Sequence, residues 1–116
     1  MDKDKCIFCK IIDGVIPAKV LYEDESLIVI EDIDPKAKVH CLAIPKKHYA
    51  YLADMSVSDA EELGKIMAVL PAVAKDNLGL TNGYRLIINQ GADAGQTVFH
   101  LHIHIVGGQE MGFCPA

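Results

Sequence analysis

His100-Leu101-His102-Ile103-His104-Ile105-Val106 alternates an imidazole with an aliphatic side chain. Successive side chains of a β-strand point to opposite faces, so this alternation predicts a strand from Phe99 to Val106. His100, His102 and His104 would share one side, with Leu101, Ile103 and Ile105 on the other, beneath a helix. Just upstream, Tyr84 to Asn89 reads as a second strand, and the glycine-bearing loop Gly91-Ala92-Asp93-Ala94-Gly95-Gln96-Thr97 joins the two. The covering helix is expected to begin at Ser58, where Ser58-Asp59-Ala60-Glu61 has the pattern of a capping box. Its apolar stripe is Leu63, Ile66, Met67, Leu70, Val73 and Ala74. Pro71 should kink that helix or split it.

Toward the N-terminus, strands are expected over Lys19 to Tyr22, Leu27 to Asp32 and Val39 to Ile44. The polar run Glu23-Asp24-Glu25-Ser26 makes the first turn, Asp34-Pro35 the next, and Pro45 ends the third ladder. A short helix should cover Ile7 to Ile12 and stop at Asp13-Gly14. Strands and helices are segregated along the chain, which points to an α+β domain. About five mostly antiparallel strands would carry one main helix and a short N-terminal one.

With 116 residues, 51% of them hydrophobic, the chain can fill one core, so residues 1–116 are read as a single domain. Sixteen acidic against eleven basic residues give a net charge of −5 without a basic block, which excludes nucleic acid as the expected partner. No apolar run approaches the ~20 residues of a membrane span, and the opening residues do not resemble a secretory leader. No membrane partner and a cytoplasmic location are therefore expected. Four cysteines at positions 6, 9, 41 and 114 do not form a disulfide framework. Cys6-Ile7-Phe8-Cys9 lacks the strand and longer helix of a thioredoxin-like redox site, which leaves metal binding or simple burial. Cys41 is expected to pack within its strand.

The aligned histidines admit two chemistries. At ~3.3 Å per residue, His100 and His104 have Cα atoms ~13 Å apart, whereas the ligands of a zinc ion all lie ~2 Å from it. One strand cannot bring all three to one ion, although one member could ligate with residues from elsewhere. The other chemistry is nucleophilic attack at phosphorus by a neutral imidazole, whose unperturbed pKa is ~6.5. His102 is then the natural nucleophile, with a neighbour on each side. His104 can donate to a phosphate oxygen or to the leaving group.

The same segment, taken with other stretches, resembles the histidine-triad (HIT) superfamily and within it the Hint branch. The supporting stretches are 8–17, Asp32-Ile33-Asp34-Pro35, Ile44-Pro45-Lys46-Lys47-His48, Gly83-Tyr84-Arg85, Asn89-Gln90-Gly91, Gly95 to His100 and Val106-Gly107-Gly108. The resemblance implies a HIT-like fold that forms a two-fold homodimer and binds a purine nucleotide. His102 would attack the α-phosphorus to give a covalent nucleotidyl-histidine, which water then cleaves, while His104 touches phosphate. Relatives that transfer nucleotides carry glutamine at the third position, so His104 favours hydrolysis. The implied substrate is a purine nucleoside phosphoramidate such as adenosine 5'-monophosphoramidate. Two alternatives are a dinucleoside polyphosphate hydrolase, and a nucleotide-binding regulatory protein with incidental catalysis.

Residue by residue, the resemblance makes Asp32 the ribose ligand and Asn89 a phosphate contact. Gly95, Gln96 and Thr97 fall in the loop that presents N–H groups to phosphate, with Thr97 where animal Hint proteins have serine. Phe8, Ile11, Ile16 and Ile33 match the walls of the purine slot. His40 falls near the triad, in its hydrogen-bond network. Cys6 and Cys9 match a C-x-x-C found in microbial relatives, and with His48 and His100 they would hold a structural zinc ion; no organic cofactor is implied. The tail from Gln109 to Ala116 matches the segment that reaches the partner subunit's site, with Phe113 in place of tryptophan.

Overall fold

A computed structural model describes residues 5–112. The expectation for Phe113 lies outside the described residues. The order is α1 (Ile7–Ile12), β1 (Val20–Glu23), β2 (Leu27–Glu31), β3 (Val39–Pro45), α2 (Val57–Asp76), β4 (Tyr84–Ile87) and β5 (Ile103–Gly107). Short 3-10 turns lie at Leu52–Asp54 and Ala92–Ala94. The five strands form one antiparallel sheet in the order β1-β2-β3-β5-β4.

Period-two alternation sorts the strand residues between two faces. Leu27, Val29, Cys41, Ala43, Ile103 and Ile105 pack against the buried stripe of α2, made by Ile66, Leu70, Val73 and Ala74. Full burial of each such aliphatic side chain stabilises the fold by about 1.5–3 kcal/mol. On the other face Ile28, Ile30, Leu42 and Ile44 meet Cys6, Phe8 and Cys9 of the N-terminal segment. α1 is too short to cover that whole face. The cross-strand rows Leu42, His104, Ile87 and His40, Val106, Arg85 continue beyond it over β5 and β4. A cleft of about 430 Å³ opens there.

Three local expectations are corrected. The capping box sits two residues earlier than Ser58 and Glu61: Ser56 Oγ accepts from the Asp59 N–H at 3.2 Å, and Asp59 Oδ2 accepts from the Ser56 N–H at 2.9 Å. Asp59 is also held by Lys47 Nζ and the Tyr49 hydroxyl, at 3.0 and 2.7 Å, whereas Ser58 and Glu61 are exposed. Tertiary partners decide between two local patterns that the sequence offers equally. Pro71 does not split α2, which runs as one helix from Val57 to Asp76. Its ring lies on the exposed side, and the burial of Ile66, Leu70, Val73 and Ala74 offsets the roughly 3 kcal/mol cost of an interior proline.

The third correction bears on the site. β5 begins at Ile103 rather than Phe99: the ladder starts at Ala43↔Ile103, and beyond it Pro45 has no N–H to give while its carbonyl accepts from the His100 ring. Leu101 instead donates its N–H to Tyr49 O at 2.6 Å, in the segment that leaves β3. β4 likewise ends at Ile87, opposite His104, so Asn89 lies just beyond its strand.

Candidate active site

His100 and His102 precede the β5 ladder, yet the inward and outward alternation persists through them. Leu101, Ile103 and Ile105 are fully buried, while the His102 and His104 rings sit 5.1 Å apart on the opposite side. His102 and His40 are each bonded to a backbone group that can act in only one direction, and this fixes their tautomers. The His102 Nδ1–H donates to the His100 carbonyl at 2.8 Å, so the Nε2 of neutral His102 carries a lone pair. His40 Nδ1 accepts from the Lys36 N–H at 3.0 Å, which places the His40 proton on Nε2. That proton is donated to His104 Nδ1 at 2.9 Å, with Asp32 Oδ2 3.4 Å from the same Nε2. The remaining proton of His104 is therefore on Nε2.

A lone pair on His102 and a donor on His104 thus stand side by side. Burial, and then the neighbouring His102 and His40, pull the His104 pKa down to about 4 against the opposing pull of Asp32. His104 is therefore a neutral donor at neutral pH. Phe8 sets its ring edge against His102, 5.1 Å between centroids, and against His100 at 5.8 Å.

His100 faces elsewhere. Its Nε2–H donates to the Pro45 carbonyl at 2.7 Å, which leaves Nδ1 directed at Cys6 Sγ, Cys9 Sγ and His48 Nδ1, at 3.3, 3.5 and 3.1 Å. Cys9 Sγ is also 3.2 Å from His48 Nδ1. Four donors bound tetrahedrally at ~2.0–2.3 Å stand ~3.3–3.8 Å apart, so two thiols and two imidazoles at these separations fit zinc. α1 supplies its pair because Cys6 is the N-cap and Cys9 follows one turn later, with the Cys9 N–H donating to Cys6 Sγ. A second group, Asp32, His40 and His104, has donor atoms equally close, but a proton on His40 Nε2 already bridges it.

The loop after β4 holds itself. Gly91, at φ 82° and ψ 178°, adopts backbone angles that in practice only glycine takes, and Gly95 is left-handed at φ 76°. The Gly95 N–H donates to Ala92 O and the Gln96 N–H to Gly91 O, at 3.0 and 3.1 Å, so neither points outward to an anion. Gln96 is buried, and its amide oxygen accepts from the Gly91 N–H at 2.8 Å. Thr97, next in line, is exposed.

Asn89, His40 and His104 line the cleft together with Arg85 and Ile87. Asp32 is half-buried, with Oδ1 accepting from the Asp34 N–H at 2.8 Å in an Asx turn. Ile11 and Ile16 are half-buried and Ile33 is wholly exposed, so these three do not close into a slot in the single chain. Cys41 packs in the α2-side core, and burial pushes its thiol up to about 11. Sequence reasoning missed the backbone partners that set the tautomers, Lys36 N–H and Pro45 O, because no side-chain pattern encodes them. It also missed Gln90, whose Oε1 accepts from the Leu52 N–H at 2.8 Å.

A family model described as HIT domain matches residues 13–111. Protein HitA of Neisseria gonorrhoeae is 48% identical over 104 residues, which is 90% of this chain and 96% of that protein. A HIT family hydrolase from Clostridium thermocellum superposes with a TM-score of 0.90 at 48% identity, covering 97% of this chain and 98% of its own. A zinc-bound histidine triad family protein from Mycobacterium smegmatis gives a TM-score of 0.78 at 34% identity, covering 96% and 80%. Among the described residues no helix is long and apolar enough to cross a membrane.

Proposed function

The chain belongs to the HIT domain family, and from that premise we propose that it is a Hint-like hydrolase of purine nucleoside phosphoramidates. One observation carries the reading: backbone partners leave His102 with an Nε2 lone pair beside the Nε2–H of His104. His102 Nε2 attacks the α-phosphorus while the bond from phosphorus to nitrogen breaks, and the amine leaves with a proton taken up from solvent, which the later hydrolysis returns. His104 donates a hydrogen bond to a phosphate oxygen or to the departing amine, held by His40. Water then cleaves the nucleotidyl-histidine, releasing the nucleoside monophosphate. The hydrolase named from Clostridium thermocellum supports this class of reaction.

Asp32 binds the ribose, its carboxylate accepting from the neighbouring sugar hydroxyls. Asn89 and Thr97 contact the phosphate, with Gly95 and Gln96 shaping the loop that presents Thr97. Phe8, Ile11, Ile16 and Ile33 flank the base. The chain forms a two-fold homodimer, for which β4 at the sheet edge offers a pairing surface. Cys6, Cys9, His48 and His100 would hold zinc, as the donor separations and the zinc-bound relative support. With four protein donors, such an ion supplies structure rather than a water-activating position.

The test is a turnover panel of adenosine and guanosine 5'-monophosphoramidates against diadenosine tetraphosphate, with mass spectrometry of the quenched enzyme. Phosphoramidate turnover with a nucleotidyl adduct on His102 is expected. Preferential cleavage of the dinucleotide would reverse the substrate assignment, and absence of turnover on all three would remove the enzymatic one.

A further inference from the structure

Gln96 uses all of its side-chain amide on backbone. Its oxygen accepts from the Gly91 N–H at 2.8 Å, and its nitrogen donates to Ala50 O and Val98 O at 3.0 and 3.2 Å. Those three groups belong to the start of the loop, the residue after its end, and the segment that leaves β3. The side chain is 7% exposed, so it cannot reach a ligand without abandoning them. Only an amide fits here, because one end must accept while the other donates to two carbonyls.

The segment it grips is itself fixed at both ends. His48 belongs to the Cys/His cluster, and Tyr49 O accepts from the Leu101 N–H at 2.6 Å, one residue before the nucleophile. The Leu52 N–H donates to Gln90 Oε1 at 2.8 Å, and the Tyr51 and Phe99 rings stand edge to face 6.1 Å apart. Residues 48–52 therefore run as a brace along 90–101. Gln96 is the buried link that ties the loop to this brace and so sets Thr97 relative to His102.

We propose that Gln96 is a positioning residue that locks the loop Gly91–Thr97 onto the 48–52 brace, and thereby selects for the phosphate rather than the nucleoside part of the substrate. This rests on the nucleotide-hydrolase reading above. It differs from the family-based expectation in that Gln96 acts through the loop, without touching substrate. The expectation is a selective loss. An apolar residue of similar length would leave Gly91 N–H, Ala50 O and Val98 O without their partner, the loop would loosen, and groups contacting the base and ribose would stay where they are.

Gln96→Met is the appropriate variant, since it is neutral and any loss cannot be charge repulsion. Binding of adenosine 5'-monophosphate and of adenosine is measured by competition on the full chain, with kcat on the phosphoramidate and a thermal melt beside it. Affinity for the monophosphate should fall about tenfold, as for one unmade buried hydrogen bond, with adenosine within about twofold of wild type. Equal losses for both ligands, or unchanged monophosphate affinity in a folded variant, would overturn the proposal. If Gln96→Met does not fold, Gln90→Met decides, since it cuts the other tie between loop and brace. A smaller loss confined to the monophosphate supports the proposal, and unchanged binding refutes it. A wild-type chain that neither turns over the phosphoramidate nor prefers monophosphate to adenosine would instead sink the nucleotide reading, independently of Gln96.

Discussion

At the scale of single residues, the proposed chemistry depends on where two protons sit, and both are placed by backbone groups, one of them through His40. The His100 carbonyl holds the proton of His102 on Nδ1, and the Lys36 N–H, acting through His40, holds that of His104 on Nε2. His102→Ala removes the one of the two whose Nε2 carries a lone pair. Turnover should drop at least about a thousandfold while nucleoside monophosphate affinity changes little, as for a group engaged only in the transition state; a variant with wild-type kcat would refute the role. His104 also gives a pH dependence. Unfolded, its imidazole takes up a proton near ~6.5, whereas in the fold it does so at about 4. Between these values the unfolded chain binds more protons, so this contribution to stability is complete above the upper value and is lost as the pH falls toward the lower one. Following the His104 ring by NMR should show its titration well below pH 6; a midpoint near 6.5 would contradict the burial that causes the shift.

At the scale of elements, the sequence was legible wherever a pattern had one solution. α1 runs from Ile7 to Ile12 as expected, because Asp13-Gly14 leaves no other stop, and the alternation at 100–106 gives the facing of its three histidines. It was not legible where two local patterns competed or where a partner strand set the limit. Ser56-x-x-Asp59 and Ser58-x-x-Glu61 are both capping boxes, and only the reach of Lys47 and Tyr49 to Asp59 selects the first. The start of β5 is set where Pro45 O takes the His100 ring and Tyr49 O takes the Leu101 N–H, which no property of residues 99–102 discloses. The capping assignment has a direct check. Ser56→Ala should destabilise the chain by about 1 kcal/mol in urea unfolding, while Ser58→Ala should stay within about 0.5 kcal/mol. The reverse order would restore the box to Ser58.

At the scale of the molecule, the Cys/His cluster joins parts that are distant in the chain: α1 through Cys6 and Cys9, the exit of β3 through His48, and the approach to β5 through His100. The C-x-x-C spacing and the family resemblance marked all four from sequence, but not that Pro45 O turns the Nδ1 of His100 toward the thiols. α1 makes only six residues of helix, shorter than an isolated helix can sustain, so it depends on docking. Phe8 and the two cysteines provide that docking, and an ion in the cluster would add a cross-link between the N-terminal segment and both halves of the sheet. Removing it with a strong chelator, or weakening it by Cys9→Ser, should lower the melting temperature by about 10 °C or more, given that each kcal/mol moves a domain of this size by several degrees. Since His100 also holds His102, the proposed nucleophile, through its carbonyl, turnover should decline with the same dose of chelator and return with added zinc. Elemental analysis of the purified chain finding less than about one zinc per two chains, or a melt indifferent to chelation, would show that the four donors are held together by packing alone.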